Sequence, residues 1–347
     1  MSRQLLLSLA LLSACGSRTY LDTGSAPDAA VLAPDDGGPL SSKCVPGAAP
    51  VVFVSNAIDL VSDGNGLLFV ERRVGDMNGV WSVSTADGSL GAPLFMDADL
   101  HITFALDTTH FYWSYVSDTG FGVRRVPRSG GAVETLTTLP DFARGLAVDD
   151  HDVYVGLFSS TGGVRGLMRF PKSGGPIVAI ADATYGFEVL ALSAARVYAR
   201  DPQWLWSFDK ATDARTHNLL PWALRALVDD EALFVTHGTD QWNGQPPTGR
   251  VYVLPGGVAP AILLAERQAS PASLAVDGAF VYWLNIGTLT HDDAGTRPDD
   301  NGTLVRMPKS GGTPVTVTPT PGATGTIVVD DECVYWAANG AIMKVHK

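Results

Sequence analysis

Charge, cysteine and helical periodicity are all scarce in this chain of 347 residues. Only 17% of the residues are charged against 46% hydrophobic, so most of the chain has too much apolar surface to stay disordered. Positive charge is the scarcer sign: 24 Lys and Arg stand against 36 Asp and Glu, a formal net charge of −12. No basic stripe offsets this, so nucleic acid is not an expected partner. Three cysteines, Cys15, Cys44 and Cys333, are too few to build a disulfide scaffold. Also missing are a nucleophile elbow, a His-Glu metal motif, a glycine-rich phosphate loop and a Ser-His-Asp cue. No stretch of useful length repeats its apolar residues at helical spacing, which predicts a body almost wholly of β-strands.

One phrase, by contrast, is abundant: an apolar run, an Asp, three spacers, an apolar-aromatic pair, and later a basic turn ending in Gly-Gly. Two clear copies run from Ala147-Val148-Asp149 to Lys172-Ser173-Gly174-Gly175 and from Ala275-Val276-Asp277 to Lys309-Ser310-Gly311-Gly312. Its anchors are Asp63, Asp107, Asp149, Ser193, Asp229, Asp277 and Asp330, spaced 36–53 residues apart. Each interval holds four short apolar stretches divided by Gly, Asp, Pro or Ser, the pattern of four antiparallel strands and hence of one propeller blade. The fold expected is all-β, a seven-bladed β-propeller over residues 47–347.

The last copy stops after its third strand. The fourth is expected from Val51 to Val54, so that an N-terminal strand completes blade seven and no sheet edge is left open at the seam. Cys44 precedes that strand, and Cys333 lies between the first two strands of the same blade. Both fall at one end of the meander, and in an exported protein they are expected to pair.

Export is read from the N-terminus. Residues 1–14 carry Arg3, the apolar run Leu5–Leu12 and small residues before Cys15, the layout of a signal peptide, and the run is too short to cross a membrane. Leu12-Ser13-Ala14-Cys15 resembles the bacterial lipobox, which implies a palmitate-type lipid on Cys15. Gly16 implies sorting toward the outer membrane. Residues 15–46 are rich in Gly, Ser, Ala, Asp and Pro and read as a flexible tether with a reach of about 30 Å.

Asp-rich turns such as Asp149-Asp150-His151-Asp152 recur once per blade, which favours turn chemistry over metal binding. Arg128, Lys172, Lys210 and Lys309 fall at the same end and are expected to neutralise these acids in solvent-screened pairs. Function is sought where the phrase is interrupted. Two long insertions, between His237 and Gly249 and between Asn285 and Gly302, offer Trp242, Asn243, His291 and Arg297 as ligand-binding residues. The metal reading is Ca²⁺ at Asp292, Asp293, Asp299 and Asp300, against a plainer reading as a solvated loop; no other cofactor is expected. His101, Arg144, Glu188 and Arg225, just before the innermost strands of successive blades, are candidates for a channel-mouth site binding an anion or supporting acid-base chemistry.

Tyr112-Trp113, Tyr282-Trp283 and Tyr335-Trp336 resemble the second-strand motif of bacterial propeller lipoproteins and, more loosely, of YWTD and NHL propellers. The resemblance implies the fold and a monomeric, lipid-anchored envelope protein that binds a protein, glycan or small ligand. Two alternatives stay open: a lyase- or lactonase-like propeller enzyme, whose four mouth residues must converge on one point, and an envelope-assembly factor, which needs an apolar or aromatic patch on one rim.

Overall fold

The computed structural model describes residues 44–347 apart from 160–162, 183–185, 219, 221, 231, 239–247, 259, 293, 294 and 299. Within these, seven four-stranded antiparallel sheets follow one another as the blades of a propeller. Their innermost strands, a, are Ala57–Ser62, Leu100–Leu106, Phe142–Val148, Glu188–Leu192, Ala223–Asp229, Pro271–Val276 and Ala323–Val329. Strands b, c and d follow outward, with long b–c insertions in blades five and six. In blade six these strands are Phe280–Asn285, Thr303–Pro308 and Val315–Pro319.

Blade seven is closed as the sequence implies. Val51–Ser55 pairs antiparallel with Ala341–His346, with Val51 opposite Lys344 and Ser55 opposite Ala341. Cys44 and Cys333 form a disulfide with a Cα–Cα separation of 5.8 Å, joining the segment before this closing strand to strand b.

The hydrophobic core is divided among the seven seams between blades. Strand alternation explains the Tyr-Trp pair: successive side chains point to opposite faces, and each face of a middle strand meets a neighbouring blade. Tyr335 packs with Phe53, Leu60 and Leu68 toward blade one, whereas Trp336 packs with Ala275, Tyr282 and Leu284 toward blade six. Tyr112 likewise joins the seam with blade three and Trp113 the seam with blade one. Because both faces are covered, strand b reads as an unbroken apolar run instead of an alternating one; Val334, Tyr335 and Trp336 are all fully buried.

The anchor Asp works as a junction. In blade three, Asp149 Oδ1 accepts the N–H groups of His151 and Asp152, and Oδ2 accepts the Tyr154 hydroxyl and the Lys210 ammonium. Lys210 belongs to blade four. The same step recurs as Arg128 on Asp63, Lys172 on Asp107, Lys309 on Asp229 and Lys347 on Asp277, always from one blade to the anchor of the preceding one. In each case the basic residue's own N–H bonds a carbonyl in the a–b turn of its own blade, as Lys172 does to His151 and Lys347 to Glu332, which aims the side chain across the seam. The cations therefore do more than screen a solvated face: their side chains are only about a fifth exposed and they stitch the ring together. Between blades four and five both partners are replaced at once. Ser193 stands at the anchor and Gly257 in the opposing turn, where a Cβ would lie 1.8 Å from the Tyr198 hydroxyl.

Candidate functional site

The d–a and b–c connections lie at the end of the ring opposite the anchors, and the inner strands enter the channel there. Every inner strand breaks register near this entrance, at Arg144/Leu146, Val189/Ala191 and Ala223/Arg225 among others. Such bulges re-aim side chains, and here they turn charged groups toward one mouth.

Three of the four channel-mouth candidates come together. Glu188 is buried and its Oε2 accepts Arg200 Nε at 3.0 Å and Nη2 at 2.7 Å, while Oε1 accepts Arg225 Nη1 at 3.0 Å. Arg144 adds a third positive field on the same carboxylate, its guanidinium lying 4.6 Å above the Phe158 ring. Burial opposes ionisation of Glu188, but Arg200, Arg225 and Arg144 outweigh it and hold the carboxyl below its ordinary range. Burial also pulls Arg144 down, with Glu188 opposing and Arg200 adding to the fall. Three guanidinium groups thus act on one carboxylate in a partly desolvated place beside the channel.

Gly145 makes the cluster fit. It adopts φ +71°, and a Cβ there would lie 2.1 Å from the Val189 carbonyl oxygen, so the inner strands of blades three and four meet closely between Arg144 and Glu188. Beneath the cluster the channel holds a cavity of about 350 Å³, whose walls include Glu188, Arg225, Asp59, Thr103, Thr324 and Thr326.

His101 is elsewhere. It is fully buried between blades one and two, its Nε2 at 2.7 Å from Asp97 and its Nδ1 at 3.1 Å from Glu71, with Phe95, Phe104 and Trp113 around the ring. The register break after His101 interrupts the alternation, so His101 turns into the seam whereas Ile102 and Thr103 both reach the cavity. Burial disfavours its charge, but the hydrogen bonds to Asp97 and Glu71 prevail and raise its pKa. The four candidates thus do not converge on one point.

Two residues without any counterpart in the repeated phrase are not apparent from the sequence, one in the cluster and one close to it along the chain. Arg200, at the end of strand b in blade four, holds Glu188 and also donates to the Ala223 carbonyl at 2.9 Å. Trp222, immediately before strand a of blade five, is 57% exposed and has φ +59°. A left-handed backbone at a bulky residue costs about 1–3 kcal/mol, and such strain concentrates at functional sites. The Pro-Trp pair interrupting the repeat is the signal that sequence offers for it.

The blade-six insertion is more ordered than a loop. Leu289–Asp292 and Gly295–Pro298 form a two-stranded ribbon, closed at its base by Thr288 N–H to Asn301 Oδ1 at 2.9 Å. A short hairpin supplies its own backbone partners, which length alone does not reveal. His291, Asp292 and Arg297 fall on this ribbon, their side chains outside the described structure, and Asp300 is exposed at its base. Cys15, Trp242, Asn243, Asp293 and Asp299 lie outside the described residues. Among the described residues no group of three or more His, Cys, Asp or Glu is placed to hold a metal ion, and no helix is long and apolar enough to cross a membrane.

No protein-family model matches the chain, and no curated protein matches it either. Solved structures do. An uncharacterised protein, lmo1340, from Listeria monocytogenes EGD-e aligns with a TM-score of 0.56 at 8% identity over 81% of this chain and 89% of that one. A structure from a study of two prolyl endopeptidases aligns with a TM-score of 0.55 at 12% identity over 84% of this chain and 50% of that one. TolB from Acinetobacter baumannii aligns with a TM-score of 0.50 at 11% identity over 83% and 65%. At such identities the likeness is one of architecture, and it agrees with the ring of seven four-stranded sheets: the chain folds as a seven-bladed β-propeller.

Proposed function

We propose that this protein is a binding propeller of the bacterial envelope, held by a lipid on Cys15, which takes an anionic ligand at the mouth formed by blades three to five. The observation that carries this reading is the gathering of Arg200, Arg225 and the field of Arg144 at one carboxylate on the wall of an open channel. Guanidinium groups gathered beside an open channel suit a carboxylate or phosphate arriving from outside. The lipobox-like Cys15, the tether composition and the Cys44–Cys333 disulfide support the anchoring part. The tether joins the body at the anchor-turn end, so the mouth is turned away from the attachment point.

Catalysis by the four mouth residues has less support, because His101 is enclosed in a different seam. The assembly-factor reading calls for a patch on one rim. The exposed apolar residues are instead spread blade by blade over the outer edges, as at Val51, Leu90, Val178, Ile262 and Val315.

Thermal unfolding in citrate, phosphate and acetate tests the mouth. Stabilisation by at least one of these anions that disappears in Arg225→Gln is expected, and no stabilisation by any of them overturns the anion reading. Palmitate labelling in a bacterial host, lost in Cys15→Ser, tests the anchor.

A further inference from the structure

We infer that the ligand at this mouth is an amphiphilic monocarboxylate, its carboxylate on Arg225 and its aliphatic body against Ile58, Ile102 and Leu190 in the channel. The inference rests on the anion reading above and adds the class of molecule. Arg225 is the cation such a ligand reaches. Its side chain lines the cavity and is 33% exposed, against 13% for Arg200. Its Nη1 donates to Glu188 Oε1 and, at 3.4 Å, to the Leu224 carbonyl, while among the described residues no hydrogen bond engages its Nε or Nη2. Arg200, by contrast, has Nε and Nη2 on Glu188 and Nη1 on the Ala223 carbonyl.

The register breaks of the inner strands supply the apolar half. In blades one to six each break leaves one residue outside the a–b pairing: Ile58, Ile102, Gly145, Leu190, Leu224 and Ala272. None of the six is polar, and the first four line the cavity. Leu190 also packs on the seam between blades four and five. Ile58 and Ile102 are half-buried and, among the described residues, belong to none of the seam cores, so packing of the blades does not account for their aliphatic character. A ligand with an apolar body does, by covering them. They stand on blades one and two, across the ring from Arg225 on blade five, so one cavity has an aliphatic wall facing a cationic one.

The rest of the cavity narrows the class. Its volume of about 350 Å³ is at the low end of the range for small-molecule sites, which suits a single short chain and not a two-chain lipid or a polymer. Glu188, held ionised beside Arg225, repels a second negative charge and so favours one carboxylate over a phosphate dianion or a tricarboxylate. Two polar groups of the wall are engaged within the protein: the Thr324 hydroxyl donates to the Ala337 carbonyl, and Asp59 Oδ1 accepts the Leu60 N–H. An apolar body strands neither of them.

Calorimetric titration of the whole folded chain with butyrate, hexanoate and octanoate, and with hexanol as the uncharged control, tests the inference. Octanoate is expected to bind at one site and about tenfold or more tightly than butyrate, the rise that burying added methylenes gives, and hexanoate about tenfold more tightly than hexanol. Arg225→Gln should weaken octanoate about tenfold. Ile58→Thr combined with Ile102→Thr should bring octanoate to within about threefold of butyrate. Unfolding midpoints show whether each variant is folded, and the chain-length series on the parent needs no variant. Equal binding of butyrate and octanoate overturns the amphiphile and leaves the anion reading standing. Octanoate binding that neither folded variant weakens also overturns the amphiphile, and the anion reading is then judged by citrate, phosphate and acetate alone. Silence from all three carboxylates while citrate or phosphate still stabilises the protein overturns the amphiphile alone. Silence from every anion overturns both.

Discussion

Lys172 of blade three meets Asp107 of blade two at 2.5 Å, and Asp107 in turn accepts the Tyr112 hydroxyl at 2.7 Å. The contact explains the spacing of the repeated phrase. Five residues after the anchor, the side chain on strand b returns to the anchor's second oxygen, and the basic residue of the next blade completes the junction over the tyrosine ring.

Breaking one junction should weaken the whole ring. Asp107→Asn and Lys172→Met are each expected to lower unfolding free energy by about 1–2 kcal/mol, between exposed and fully buried pairs. The double variant should lose less than the sum, a coupling that a double-mutant cycle by urea denaturation measures. Strict additivity would mean that the two groups act independently.

Acid should open the same junctions. Burial opposes ionisation at Asp149 and Asp277, yet Lys210 and Lys347, with backbone N–H donors, lower both from 3.8 to about 2. A depressed carboxyl pKa contributes stability that is complete above the unfolded value and disappears as pH falls through the folded one. Melting temperature is expected to drop between about pH 4 and pH 2. Lys210→Met should reduce the slope of that drop.

His101 should act in the opposite sense. Its pKa is raised, so its contribution is complete below the ordinary value of 6.5 and is lost as pH rises through the higher folded value. His101→Gln is expected to be less stable at pH 6 and to lack the decline that the parent shows above neutrality. NMR titration of the imidazole gives the folded value directly.

Gly145 separates site geometry from site charge. Gly145→Ala places a methyl against the Val189 backbone and imposes an unfavourable φ, which is expected to cost about 2 kcal/mol or more. It should also weaken anion binding with every charged residue still present. Denaturation and titration on the same preparation read both effects.

The ring is legible in the sequence because what recurs is what builds it. Asp149, Asp277 and Asp330 announce their turns, Tyr-Trp announces strand b, and the truncated last phrase points to Val51 as the closing strand. The mouth is harder to read because its residues do not recur. Arg144, Glu188 and Arg225 stand out by their charge near the start of successive inner strands, but position does not say which way His101 points, since a single step along a strand reverses its face. Arg200 is hidden on strand b, where sequence gives no hint that its long side chain reaches inward to Glu188. Trp222 is masked by the expectation that aromatics pack between blades.

Removing the Cys44–Cys333 bond should lower stability by about 2–5 kcal/mol, the range for a native disulfide closing a long loop. Cys44→Ser measured against the oxidised parent without reductant is the comparison, and reductant should remove most of the difference.

That bond also governs how the protein answers mechanical force. A pull from the upstream chain would otherwise enter at Val51 and peel the outer strand from its partner, one pair of hydrogen bonds at a time from Val51–Lys344 toward Ser55–Ala341. With Cys44 joined to Cys333, tension passes into strand b, which is bonded on both sides. The closing strand is relieved of load. The N-terminal segment can thus be tugged without unzipping the seam of blade seven.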